Sequence, residues 1–192
     1  MVNFLIFGPP GSGKGTQSVK LAEKFNLIHL STGDMLREEI SGNTELGLKV
    51  KSIMEDGDLV PDNIVIEMIA NRIDANSTSS GFIFDGFPRT VDQARALDAM
   101  LEERSTDICK MLVLDVSSEE LVRRLLDRAA ISGRADDQDE SIIDTRIAVY
   151  REKTEPVAHY YKEKGKYRQI NGMGDISGIF ERLSSVIEEC KL

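Results

Sequence analysis

Gly8-Pro9-Pro10-Gly11-Ser12-Gly13-Lys14-Gly15-Thr16 follows the apolar run Val2-Asn3-Phe4-Leu5-Ile6-Phe7 and precedes a helix-like segment from Gln17 to Phe25. A strand, a glycine loop and a helix start in that order form a cradle for phosphate. Glycines let the backbone curl so that successive N–H groups point inward, the helix start adds its positive dipole end, and Lys14 supplies a full charge for the outer phosphates. A lone glycine pattern reads as a surface turn, but Gly-x-x-x-x-Gly-Lys between a strand and a helix is far more specific. One departure is informative: Gly15 stands directly after the lysine, where Ser or Thr is usual, and Thr16 comes one place later. That argues against the commonest switch-type and motor-type hydrolases.

Outward from the loop, apolar runs of strand length recur at Leu27–Leu30, Gly81–Phe84, Met111–Val116 and, more weakly, Tyr167–Ile170. Longer segments of helical periodicity separate most of them, which predicts an α/β fold with a parallel sheet. Apolar residues on successive positions, as in Phe82-Ile83-Phe84, fit strands covered on both faces by helices. Ligands of such sheets bind beyond the carboxyl ends of the strands, so the residues just after each strand are the candidates. Ser31 to Val60 has little strand character and reads as a helical insertion; within it Thr32 or Asp34 is suited to cap a helix, and Pro61 to the first position of the next one. Pro156 is expected to break the helical segment from Ile142 to Lys164.

The 192 residues suit one substantial core. With 24 Lys and Arg against 33 Asp and Glu, the formal charge is −9, which disfavours a general nucleic-acid binder. An anionic ligand must then be held by local cations working against the overall field. Cys109 and Cys190 are too few and too distant in sequence for a disulfide framework. No apolar run reaches membrane-spanning length and the first residues enter a strand directly, so a soluble, cytoplasmic protein is expected.

Arginines gather in the second half of the chain. Arg124 and Arg128 share a helix face, the following loop adds Arg134, and Arg146 lies on the next helix; Arg37 and Arg89 follow earlier strands. Fixed guanidinium groups suit phosphoryl transfer between two phosphates, where negative charge converges and donor and acceptor must be held in line. A phosphate acceptor has a second pKa of about 6 and needs no catalytic base near neutrality. Asp85, ending an apolar strand, is the candidate to organise the water shell of Mg²⁺, with a turn cap as its plainer role. His29, His159 and Cys109 carry no ligand spacing and read as packing residues.

The chain resembles the adenylate kinases, a family of nucleoside monophosphate kinases. The resemblance rests on Gly8–Thr16, Ser31-Thr32-Gly33-Asp34-Met35-Leu36-Arg37, Asp58-Leu59-Val60-Pro61, Asp85-Gly86-Phe87-Pro88-Arg89-Thr90 with Gln93, Gly133-Arg134-Ala135-Asp136-Asp137, and Arg146. It implies a P-loop three-layer αβα fold with a five-stranded parallel sheet, forming one domain over 1–192 with an AMP-binding insertion at about 31–60 and a lid at about 129–137. By the same resemblance Gly11, Ser12, Gly13, Lys14, Gly15, Thr16, Arg124 and Arg128 bind ATP, and Gly174 offers its carbonyl near adenine. Thr32, Arg37, Asp58, Leu59, Val60, Gly86, Phe87, Pro88, Arg89, Gln93, Arg134 and Arg146 line the AMP side.

Lys14, Arg89, Arg124, Arg128, Arg134 and Arg146 form the implied catalytic set, with Mg²⁺ accompanying ATP and a monomer expected. Only residues 129–133 separate Arg128 from Arg134. That resembles the short-lid form, without structural zinc. A UMP or CMP kinase is the nearest rival; Thr32 and Gln93 favour adenine, since Gln93 can both donate to and accept from a base edge. A guanine-nucleotide switch is the more distant alternative. Asn71-Arg72-Ile73-Asp74 has its base-reading pattern, but in a helical segment.

Overall fold

The computed structural model describes residues 1–132, 135–137 and 139–190. Strands β1 (Asn3–Phe7), β2 (Ile28–Ser31), β3 (Phe82–Asp85), β4 (Ile108–Asp115) and β5 (Tyr167–Asn171) form one sheet in the order β2-β3-β1-β4-β5. Every pairing is parallel, as the successive apolar residues required. The chain leaves β1 towards β2 on one side and reaches β4 on the other, so the carboxyl end of β1 is the switch point where ligands of such sheets bind. The glycine loop lies there.

Helices α1 (Lys14–Phe25) and α9 (Ile176–Glu189) cover one face of the sheet, while α4 (Asp62–Ala75), α5 (Val91–Glu102) and α8 (Glu155–Glu163) cover the other. The central strand divides its side chains accordingly. Phe4 and Ile6 join Leu21, Phe25, Leu183 and Ile187, whereas Leu5 and Phe7 join Ile69, Leu97 and Tyr161. Each face buries a contiguous apolar cluster, which fixes strand register because a slip of one residue exchanges the two sets. Tyr160 and Tyr161 both donate to Asp98, at 2.9 and 3.0 Å, so their hydroxyls are satisfied as they pack between α5 and α8.

The span 31–60 is helical, as expected: α2 (Thr32–Ser41) and α3 (Glu45–Glu55) occupy it. Ser31, rather than Thr32 or Asp34, caps α2 by accepting the Asp34 N–H at 3.3 Å. Pro61 sits one place earlier than expected, at the cap of α4, with Asp62 opening the helix. β4 begins before Met111 because a bulge beside Asn3 and Phe4 lets Ile108 join the ladder. Helix α6 (Ser118–Ser132) continues through residues 129–132, so the first part of the expected lid is helical; a 3₁₀ turn follows at Ala135–Asp137. The long helical segment is divided ahead of Pro156. Between α7 (Glu140–Val149) and α8 lies a π turn, Tyr150–Thr154, and Pro156 stands in the first turn of α8, where its missing N–H costs no hydrogen bond.

Candidate active site

The glycine loop folds as its sequence requires. Gly11 and Gly13 have φ of 83° and 92°, left-handed values that L side chains rarely adopt, and a Cβ at Gly11 would meet the Leu121 carbonyl at 2.7 Å. Lys14 Nζ donates to the Gly8 and Pro9 carbonyls at 2.7 and 3.0 Å and to Ser12 Oγ at 3.4 Å. Ser12 itself is fully buried, and its N–H closes a turn onto the Pro9 carbonyl at 3.1 Å. Burial pushes the Lys14 ammonium down to about 7; Asp85 opposes this, and Arg89, Arg146 and Arg128 add to it. Four cations thus converge on one place in a chain of formal charge −9.

An open cleft of ≈ 2170 Å³ follows the loop, lined by Gly11, Gly13, Lys14, Gly15, Thr16, Asp85, Arg124, Arg128 and Gly174, and also by Arg37, Arg89 and Arg146. Gly15 faces Asp85: a Cβ there would stand 3.5 Å from Asp85 Oδ2, so a longer side chain aimed the same way would crowd the carboxylate. Asp85 is nearly buried at the end of β3, and His29 Nε2 approaches it at 3.6 Å, too long for a hydrogen bond. A second pocket, of ≈ 560 Å³, gathers Thr32, Arg37, Asp58, Leu59, Val60, Gly86, Arg89, Gln93 and Arg146. Residues far apart in sequence meet here around one concavity that opens to solvent. Phe87 and Pro88 line a third pocket that shares Gly86, Arg89 and Arg146 with both of the others and Lys14 with the cleft. Arg89 and Arg146 therefore line all three spaces, and Lys14 lines the cleft and the third pocket.

The insertion and the strand ends hold this second pocket together. Thr32 Oγ1 donates to the Gly86 carbonyl at 2.8 Å, and Arg89 Nε donates to the same oxygen at 2.9 Å. Arg37 pairs with Asp34 at 2.5 Å, which helps hold the Asp34 carboxyl below the usual range against the effect of its burial. Gln93 Oε1 accepts the Arg89 N–H at 2.7 Å while Gln93 Nε2 donates to Asp62 Oδ1 at 2.7 Å. Asp62 also accepts from Thr90 Oγ1 at 2.6 Å.

The later arginines reach the cleft from the far side. Arg124 joins Glu120 at 2.7 Å and donates to the Ser12 carbonyl at 3.4 Å and the Gly172 carbonyl at 3.0 Å, linking α6 to the glycine loop and to the turn after β5. Arg128 holds Asp137 through two bonds of 2.6 and 2.8 Å, and Arg146 reaches the same carboxylate at 2.5 Å. Asp137 is fully buried, so its charge is compensated by guanidinium groups in place of water. Arg134 lies outside the described residues.

Sequence reasoning did not single out Asp62, and it read Asp137 only as part of a motif. Asp62 followed Pro61 and looked like an ordinary helix start; its contacts with Thr90 and Gln93 join segments that only the tertiary fold brings together. Arg123, also on the cleft, is exposed and paired with Glu120 and Asp127.

The adenylate kinase family model matches residues 6–166 of the chain. The adenylate kinase of Bacteroides fragilis is 50% identical over 188 residues, covering 98% of this chain and 99% of that protein. Those of Flavobacterium psychrophilum, at 50% identity over 97% of this chain and 98% of the relative, and Parabacteroides distasonis, at 49% over the full length of both, are similarly related.

Proposed function

The chain belongs to the adenylate kinase family and transfers a phosphoryl group reversibly from ATP to AMP, giving two ADP; we propose that the residues gathered around Lys14 carry this out. The observation that supports the assignment is that Arg89 and Arg146 line both binding spaces, while Lys14 and Arg128 line the larger one beside them. In this reading ATP lies in the larger cleft, with its phosphates on the backbone of Gly11 to Thr16 and on Lys14, Arg124 and Arg128, and with adenine near Gly174. AMP lies in the second pocket. Thr32, Arg37, Asp58, Leu59, Val60, Gly86 and Gln93 line it, and Phe87 and Pro88 shape the passage between the sites.

The acceptor phosphate, with a second pKa of about 6, is already ionised near neutrality, so no side chain removes a proton. What remains is positioning and neutralisation. Arg89 and Arg146 line both spaces and hold acceptor and transferred phosphoryl in line, while Lys14 balances charge on the bridging side. Arg134 belongs to the same set by its place in the Gly133–Asp137 motif.

Mg²⁺ fits the donor set on the cleft wall. Such an ion keeps most of its waters and takes few protein ligands beside phosphate oxygens, and Asp85 supplies one carboxylate with the Thr16 hydroxyl on the same wall. Asp85 would hold the ion through water, and the ion would neutralise charge on the ATP phosphates.

We assign the insertion at about 31–60 and the lid at about 129–137 as the parts that close to exclude water during transfer. The protein is read as a monomer of the cytoplasm; among the described residues no helix is long and apolar enough to cross a membrane. A coupled assay with ATP and each of AMP, UMP, CMP and GMP tests the site. Fast ADP formation with AMP alone is the expected outcome, whereas equal turnover with UMP or CMP would remove Gln93 as the reader of the acceptor base.

A further inference from the structure

The sheet brings together two cysteines that the sequence separates widely. Cys109 is the extra residue of the β4 bulge: Asn3 pairs with Ile108 and Phe4 with Lys110, so Cys109 has no partner in the ladder. Ile108 packs into the cluster on one face of the sheet, and Cys109 packs against the cluster on the other, together with Phe4, Leu183 and Ile187. Helix α9 starts beyond the carboxyl end of β5 and returns along this second face. Its buried stripe includes Leu183, Val186 and Ile187, and Cys190, at the helix cap, falls on the same stripe and against the same cluster. Both thus lie on one face at the amino end of the sheet, with Cys190 a neighbour of the Cys109 thiol. Both are only half-buried, so a small reagent can reach them.

We propose that Cys109 and Cys190 are a thiol pair that a small-molecule disulfide oxidises to an intramolecular cross-link, stapling α9 to β4. The Cys190 thiolate attacks one sulfur of the reagent and expels one thiolate, leaving a mixed disulfide on Cys190. Cys109 then gives up its proton, attacks the Cys190 sulfur and expels the second thiolate. Two protein thiols lose two electrons and two protons, and the reagent becomes two free thiols. Burial and the neighbouring Cys190 push the Cys109 thiol up to about 12, with Lys110 opposing and Asp107 adding to the shift. Cys109, set within the strand, suits the resolving step once Cys190 at the helix end carries the adduct.

The glycine loop lies at the carboxyl end of β1, and the cysteines at the opposite, amino end of the strands. A bond between β4 and the end of α9 closes a long stretch of chain that includes α6, α7, α8 and β5, so its effect falls on the unfolded state. The cross-link is expected to stabilise the enzyme without altering transfer.

The test uses the full chain, reduced and then exposed to oxidised glutathione near neutral pH. Titration of thiols after denaturation should show both cysteines lost together. The intact mass should fall by two hydrogen atoms, and the product should run as a monomer without reductant. The melting temperature should rise by roughly 5–10 °C, with ATP:AMP turnover within about twofold of the reduced protein. In Cys109→Ser the reaction should stop at a glutathione adduct on Cys190, and Cys190→Ser should gain no stability. Stable glutathione adducts on the unaltered protein, covalent dimers, or two unreacted thiols would each overturn the proposal. Turnover that fell in step with cross-linking would overturn the separation from the phosphate site.

Discussion

Gln93 Nε2 donates to Asp62 Oδ1 at 2.7 Å, and this bond orients a carboxamide that has both donor and acceptor capacity to offer a base edge. With Oε1 held by the Arg89 N–H, the amide cannot rotate by half a turn without placing Nε2 against another donor. One donor and one acceptor site remain, which the proposed reading gives to the acceptor base. Asp62→Ala removes the orienting partner but leaves Gln93 present. KM for AMP should rise roughly fivefold, about 1 kcal/mol, with kcat nearly unchanged. The preference for AMP over CMP and UMP should narrow. A steady-state series over the three acceptors reads both effects, and an unchanged KM for AMP would remove Asp62 from the recognition set.

Lys14 gives the protein a proton-linked step. Its folded pKa of about 7 lies below the ordinary 10.5, so between these values the unfolded chain holds more protons and the ligand-free protein gains stability from this group as pH rises. The polyphosphate of ATP acts in the opposite direction, favouring the charged ammonium. Binding at about pH 8.5, where the nucleotide is fully ionised, should therefore take up a proton. Calorimetry in two buffers of different ionisation enthalpy measures it. Lys14→Met should lose the uptake and lower turnover by orders of magnitude, but should melt no earlier than the parent near pH 7, because it removes a buried cation.

Asp137 is a buried counterion in the 3₁₀ turn after α6. It is fully buried and accepts from both Arg128 and Arg146, the latter also paired with Asp136 at 2.9 Å, so Asp137→Asn keeps the shape and removes one of the charges that balance these guanidinium groups. Breaking such a pair typically costs about 3 kcal/mol, which urea unfolding of the nucleotide-free protein resolves easily. Saturating ATP should recover part of that loss, since phosphates provide the missing negative charge. A variant within about 0.5 kcal/mol of the parent would mean that the carboxylate contributes little to closing the turn.

The sheet was legible because its strands are buried on both faces. Phe82-Ile83-Phe84 and Met111-Leu112 announce themselves by successive apolar residues, and the glycine loop by spacing whose geometry allows few other uses. Ser31–Val60 was readable as helical for want of strand character. What stayed hidden depended on distant partners. Nothing local distinguishes Asp62 from any helix-opening Asp, or predicts that Arg124 will join Ser12 to Gly172. The π turn at Tyr150–Thr154 was hidden as well: Pro156 advertises an interruption, but nothing local says that it takes this form or falls ahead of the proline.

Gly47 offers a contest between local propensity and packing. It lies within α3, where Ala is favoured over Gly by about 1 kcal/mol in a helix. A Cβ here, however, would stand 2.1 Å from the Glu39 carbonyl oxygen of α2, a backbone atom that cannot swing aside. Relieving this overlap requires α3 to move away from α2, disturbing Leu36 and Val50, which are buried in the larger apolar cluster. Overpacking of this kind costs about 1–3 kcal/mol, enough to outweigh the propensity gain. Gly47→Ala should therefore destabilise the protein. Because α2 carries Arg37 and the chain after α3 carries Asp58 to Val60, it should also raise KM for AMP more than KM for ATP. A variant that melts later than the parent would show that propensity wins and that the two helices have room to spare.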